Sequence, residues 1–318
     1  MVREHPVLLS VGGEDVFAIV TQPPSAPTAP KAGIVYLTRP RAHRNRMWVD
    51  AARALALKGF TGIRFDYHGE GDSTGEPCRL DPESPYARDA VAAIRHLVEV
   101  EGVERIGVLG SCFDARTALA AAHDAPRFDA LVFMSGPVLD ESAEMERIVA
   151  ERDLAHYARR IREPGAWRAL LSPARVGIAL RVLLARAARR IGLARRDGRG
   201  AGAAAGGAPT GALAGAAAGA AAGGGPSVSA GFLRDLGALV ARGTPALFLY
   251  GDRDAQYRGF RIAMDATLPH LPQEASDRLE FAVLEGEAHG YLSVPIQSAI
   301  VERACAWLEK TLAAERVG

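Results

Sequence analysis

Three side chains in this sequence could together move an acyl group: the thiol of Cys112, the carboxylate of Asp254 and the imidazole of His289. A cysteine thiol with an ordinary pKa of about 8.5 is weakly ionised at neutral pH and becomes a nucleophile when an imidazole takes its proton. Cys112 lies in Val108-Leu109-Gly110-Ser111-Cys112-Phe113-Asp114-Ala115-Arg116. This run reads as a sharp strand-to-helix turn of the Gly-x-Ser-x-Gly kind, with cysteine where serine usually stands. Small residues two before and two after the apex let strand and helix pack closely, so the register is Gly110, Cys112, Asp114. Centring the turn on Ser111 would put Leu109 and Phe113 at the crowded positions, which sterics oppose. Asp114 is large for its place, so the turn must widen or its carboxylate must point into a polar pocket. The alternative for Cys112 is a small buried residue at a strand end.

The other two residues stand where a sheet would deliver them. Ala246-Leu247-Phe248-Leu249-Tyr250 runs into Gly251-Asp252-Arg253-Asp254, and Phe281-Ala282-Val283-Leu284 runs into Glu285-Gly286-Glu287-Ala288-His289-Gly290. Both sites lie just past the carboxyl ends of predicted strands, where parallel sheets place their chemistry. Asp252 is a rival to Asp254, although aspartates in Gly-rich turns often only form the turn.

The elements that must position these residues alternate along the chain. Strands are predicted at Val7 to Val11, Val16 to Thr21, Gly33 to Thr38, Thr61 to Asp66, Arg105 to Leu109, Ala130 to Ser135, Pro245 to Gly251 and Leu279 to Leu284. Helices are predicted at Met47 to Lys58, Tyr86 to Val100, Phe113 to His123 and Ile296 to Ala314. The first two strands read as a hairpin about Gly12-Gly13-Glu14-Asp15, and the rest as parallel βαβ units. The alternation stops between Gly136 and Phe232. Residues 1–136 and 233–318 therefore read as two parts of one core, and 137–232 as a helical lid inserted between them. Within it, Glu141 to Arg162 is charged and amphipathic, Arg175 to Arg196 is basic, and residues 198–229 form an Ala/Gly-rich segment read as a flexible linker.

The chain has 318 residues and is 48 % hydrophobic and 24 % charged, a composition that builds a large core and excludes disorder of the whole. Its net charge of +1 gives no global pull toward nucleic acid. Three cysteines, Cys78, Cys112 and Cys305, form no disulfide framework. With no signal-peptide pattern and no membrane span, the expected setting is the cytoplasm. No metal-ligand spacing or cofactor motif stands out, so no cofactor is expected.

The chain resembles the α/β-hydrolase superfamily over most of its length outside the lid. The elbow carries the resemblance, with the strand-end Asp254 and His289 and the turn Arg64-Phe65-Asp66-Tyr67-His68-Gly69-Glu70-Gly71-Asp72-Ser73, similar to that superfamily's Asp-x-Arg-Gly-x-Gly-x-Ser. The fold implied is a mostly parallel central sheet flanked by helices. The order nucleophile, acid, base implies a triad of Cys112, Asp254 and His289. Cysteine-nucleophile members of this superfamily include dienelactone hydrolases, certain acyltransferases and some chain-releasing thioesterase domains. The resemblance further implies an oxyanion hole built from the backbone N–H of Phe113 and a second donor at Thr38 or Arg39.

The loop Thr38-Arg39-Pro40-Arg41-Ala42-His43-Arg44-Asn45-Arg46 replaces the superfamily's usual His-Gly at this point. Its four arginines suggest an anionic group on the substrate, or else a solvated approach to a helix. Arg41, His43, Arg44, Ser111 and Asp114 are therefore the candidate substrate-binding residues. The functional expectation is an acyltransferase or chain-releasing, thioesterase-like enzyme that takes a small-molecule acyl group from a thioester such as one on CoA. The basic lid helix could dock an acidic acyl carrier protein, or be a wet face. The alternatives are a plain ester, lactone or thioester hydrolase and a catalytically inert binding protein that keeps the fold.

Overall fold

The computed structural model describes residues 1–25, 32–77, 81–83, 85–140, 228–289 and 293–313. The expected lid helices and most of the Ala/Gly-rich segment lie outside the described residues, as do Cys78, Gly290 and the Arg44 side chain.

Eight strands form one sheet in the order β1-β2-β4-β3-β5-β6-β7-β8. They are β1 (Arg3–Val11), β2 (Glu14–Gln22), β3 (Ala32–Leu37), β4 (Thr61–Phe65), β5 (Arg105–Ser111), β6 (Ala130–Met134), β7 (Ala246–Gly251) and β8 (Leu279–Leu284). β1 and β2 form the expected hairpin, and β2 is antiparallel to β4. From β4 through β3 to β8 every pairing is parallel. Strands β3, β6 and β7 are buried at every residue, which is why they read as near-continuous apolar runs.

Helices cover both faces because strand side chains alternate between them. Val35 and Leu37 face one cluster with Phe248 and Tyr250, whereas Ile34 and Tyr36 face the other with Leu247 and Leu249. Helices α1 (Met47–Leu57) and α6 (Val294–Ala313) pack on the second face through residues such as Trp48, Leu55, Trp307 and Leu308. Helices α2 (Arg88–Glu99), α3 (Phe113–Ala120), α4 (Ala230–Ala241) and α5 (Ala255–Thr267) pack on the first. Trp48 and Leu308 are both fully buried. Truncating either to alanine costs roughly 2–5 kcal/mol.

Helices α4 and α5 have no counterpart in the sequence reading. The α4 pattern is diluted by Gly231 and Gly237 and adjoins the Ala/Gly-rich segment; its start is marked by Ser229, whose Oγ accepts the Phe232 N–H at 3.0 Å. The expected lid boundary at residue 232 thus falls inside α4. Val228, at the end of the Ala/Gly-rich segment, is buried and bridges Leu139 in antiparallel fashion. Arg116, fully buried on α3, donates from Nη1 to the Pro137 carbonyl and from Nη2 to Ser229 Oγ, each at 3.1 Å. The helix that follows Cys112 is thereby tied to the chain on both sides of 141–227.

Among the described residues no helix is long and apolar enough to cross a membrane.

Candidate active site

The chain crosses from β3 to β4 on one side and then to β5 on the other, so the sheet's direction of growth reverses between β3 and β5. In such sheets the crevice at the carboxyl ends of the strands flanking this reversal is the natural site. Leu37 pairs with Gly110, which brings the loop after β3 level with the turn after β5.

At that turn Cys112 has φ 57° and ψ −126°, a conformation that costs a side-chain-bearing residue of order 1–3 kcal/mol. The strain belongs to the sharp turn itself: α3 begins at the next residue, and a Cβ on Gly110 would lie 2.3 Å from the Asp114 carbonyl oxygen. Ser111, by contrast, is the last residue of β5 and 4 % exposed. The register centred on Cys112 is the one the backbone adopts. Its side chain is partly exposed, and its backbone N–H donates to the Met134 carbonyl at 2.9 Å.

His289 Nε2 stands 3.0 Å from Cys112 Sγ. The loop that carries His289 is held against the end of β7, where a Cβ on Gly251 would lie 2.3 Å from the Gly286 carbonyl oxygen. Asp254 pins this loop. Its Oδ1 accepts the His289 backbone N–H at 2.8 Å, and its Oδ2 accepts the Gly251 N–H at 2.8 Å and the Ser135 hydroxyl at 2.6 Å. Asp252 is exposed and accepts the Gly286 N–H at 2.7 Å, which makes it a turn former. Of the two aspartates, Asp254 is the one joined to His289.

The loop after β3 is organised by ion pairs. Thr38 is buried, and its hydroxyl donates to the Pro40 carbonyl at 3.0 Å. Arg39 Nε donates to Asp114 Oδ1 at 2.9 Å, Arg39 Nη1 pairs with Glu70, and the guanidinium lies 3.8 Å from the centre of the Tyr67 ring. Arg41 pairs with Asp66 and Asp72. The guanidinium groups of Arg39 and Arg41 are therefore neutralised by carboxylates of the protein, which removes the basis for reading these two as a ready anion site. His43 has its ring centre 6.4 Å from that of Trp48, at the start of α1, and Arg46 is exposed. Asp114 resolves the oversized elbow position by entering a polar pocket: it is 5 % exposed and faces Arg39.

The structure thus brings together Cys112, His289 and Asp254 and sets Thr38, Arg39 and Asp114 beside them. Sequence reasoning missed Ser135, a buried residue with φ 45° just past β6 that secures Asp254. Its only sequence signal is a polar residue at the end of an apolar strand. Among the described residues, no group of three or more His, Cys, Asp or Glu side chains could hold a metal ion.

Residues 28–171 match the family described as serine aminopeptidase, S33. The uncharacterized protein YcjY of Escherichia coli K12 is 44 % identical over 78 residues, which cover 23 % of this chain and 25 % of YcjY. The chain thus matches about a quarter of that relative's length. Among solved structures, proline iminopeptidase of Mycobacterium smegmatis is similar at 20 % identity and TM-score 0.52, covering 98 % of this chain and 100 % of that one. A Pyrococcus furiosus esterase superposes with TM-score 0.57 at 14 % identity, over 98 % and 92 % of the two chains. Dienelactone hydrolase of Anabaena variabilis does so with TM-score 0.53 at 13 % identity, over 97 % and 100 %. With an eight-stranded, mostly parallel sheet and a strained strand-to-helix turn after β5, this chain has the α/β-hydrolase fold.

Proposed function

We propose that this protein is a hydrolase of acyl compounds, esters, lactones or thioesters, that works through a covalent thioester on Cys112. The observation that carries the reading is the 3.0 Å approach of His289 Nε2 to Cys112 Sγ, with the sulfur at a strained apex immediately before α3. The imidazole accepts the thiol proton, and the helix N-terminus favours the thiolate that remains. Sγ attacks the acyl carbonyl carbon, forming a C–S bond and placing the negative charge on the carbonyl oxygen. The N–H of Phe113 and one from Thr38 or Arg39 receive that charge. Collapse breaks the bond to the leaving alcohol or thiol, which takes the proton from His289. Water, deprotonated by His289, then attacks the thioester; the C–S bond breaks and the proton returns to sulfur, releasing the carboxylic acid. Asp254 holds the His289 loop in place by accepting its backbone N–H.

Hydrolysis, second among the sequence expectations, comes first here because the similar proteins are an iminopeptidase, an esterase and a dienelactone hydrolase. The family description names serine, and this chain carries cysteine at the apex. That one difference supports a second reading, acyl transfer, because thioesters pass their acyl group readily to amines. On either reading the donor is a small acyl compound, with CoA or an acyl carrier protein as carriers to test.

The test is intact-protein mass spectrometry with short acyl esters and thioesters, with and without amine acceptors. An adduct on Cys112 discharged by water alone is expected. Faster discharge by amine would move acyl transfer ahead of hydrolysis. A Cys112→Ala variant that still turns over would remove the covalent route, and a Cys112 inert to both donors and iodoacetamide would leave the inert-scaffold reading.

A further inference from the structure

Asp114 stands two residues after Cys112, at the elbow position where a small residue is the expectation, and its carboxylate is almost wholly removed from solvent. Left alone, a buried carboxylate is costly. Here it is met by Arg39, two residues beyond β3, through the 2.9 Å bond from Nε to Oδ1. The same guanidinium pairs with Glu70 on the loop after β4 and rests on the Tyr67 ring. One side chain therefore ties the loops after β3 and β4 to the first turn of α3. With two of its nitrogens and one face engaged by the protein, Arg39 is built as a strut.

We propose that the Asp114–Arg39 ion pair is a positioning device that sets the spacing of the two oxyanion donors. It holds the backbone at Thr38–Arg39 at a fixed distance from the Phe113 N–H. This rests on the proposed reaction, in which those N–H groups receive the oxyanion. In an elbow with a small residue at this place, backbone packing alone locates the helix against the neighbouring loop. Here a side-chain pair supplies that link, and donors must lie about 2.7–3.1 Å from the oxyanion to act. Burial pushes the Asp114 carboxyl above its ordinary value against the opposing charge of Arg39. Burial also works to lower Arg39, yet Asp114, Tyr67 and Glu70 hold it above its ordinary value. The buried carboxylate and the guanidinium that faces it thus oppose each other's burial penalty.

Alkylation of Cys112 by iodoacetamide separates this role from general damage, because it uses the same thiolate but develops no oxyanion. Asp114→Asn keeps the volume and removes the charge. Its kcat is expected to fall about 10- to 100-fold, less than or comparable to loss of one oxyanion donor. KM should move less than about threefold and the alkylation rate less than about twofold, as expected when stabilisation is lost only in the transition state. Arg39→Met, which keeps the backbone N–H, should show the same split. The double variant should be no worse than either single one, as for a pair acting as a unit. If Asp114→Asn does not fold, the double variant, which leaves neither partner of the pair charged without the other, gives the same reading. An unchanged kcat in the double variant would overturn the proposal, as would alkylation that falls in step with kcat. A wild-type protein that turns over without any acyl adduct on Cys112 would instead overturn the underlying reaction.

Discussion

Cys112 and Cys305 are the same side chain in opposite circumstances. Cys112 sits partly exposed at a backbone angle of φ 57°, with its sulfur 3.0 Å from an imidazole. Cys305 sits inside α6, 8 % exposed, in the cluster formed with Trp307, Leu308 and Leu247. Burial pushes its thiol up to about 12, although Lys58 opposes the shift. The two thiols therefore differ by place: one is partly exposed with an imidazole beside it, and the other is packed as a small apolar group.

The sharpest way to break this contrast is to delete each sulfur. Cys112→Ala is expected to lower kcat by about 10⁴-fold or more, as loss of a nucleophile does, and Cys305→Ala to leave it within about twofold. Steady-state kinetics on both variants decides it; equal losses would dissolve the distinction. Removing the imidazole comes next. His289→Ala should cost about 10²- to 10⁴-fold in kcat. It should also slow iodoacetamide labelling of Cys112 at pH 7, with Cys305 labelled only after unfolding in either protein. Labelling of Cys305 at the native rate of Cys112 would show that burial does not protect it.

A smaller effect is expected one shell further out. Ser135→Ala removes the hydroxyl that donates to Asp254 and should reduce kcat/KM about tenfold, since a hydrogen bond to a charged group contributes about 1.5–3 kcal/mol. Loss of activity at an unchanged melting temperature would point to the hydroxyl; loss of melting temperature in step with activity would point to mere packing.

A last effect bears on stability and concerns pH and the second cysteine. Its folded-state value lies above the unfolded one, so the native state keeps the proton longer and stability is lost as pH rises from the ordinary thiol range of 9.0 to about 12. Relative to Cys305→Ala, the wild-type protein should lose up to about 1.4 kcal/mol per pH unit across that window in denaturant titrations. Parallel alkaline profiles would show that Cys305 is not buried as described.

The parallel strands were legible because covered strands need apolar side chains at every position; β3, β6 and β7 match their expected spans to within a residue or two. Helices α4 and α5 were not, because glycines interrupt their apolar faces and much of their stability comes from contacts such as Phe232 against Phe133 and Phe248 against Phe260. Cys112 was legible because the steric demand of a tight turn is written in its neighbours. The loop after β3 left two readings open, since four arginines look alike in a sequence. The carboxylates that neutralise two of them come from the loop after β4 and from α3.

The register of the elbow, and the order in which thiol, carboxylate and imidazole follow the strand ends, can be read from the residues alone, because these depend on local sterics and apolar periodicity. Which aspartate joins His289, the bond by which Ser135 secures it, and the pairing of Arg39 with Asp114 emerge only in the folded chain. Those relations span residues brought together by the sheet, and hydrogen bonds and ion pairs form according to distance in space, which no local pattern of residues encodes.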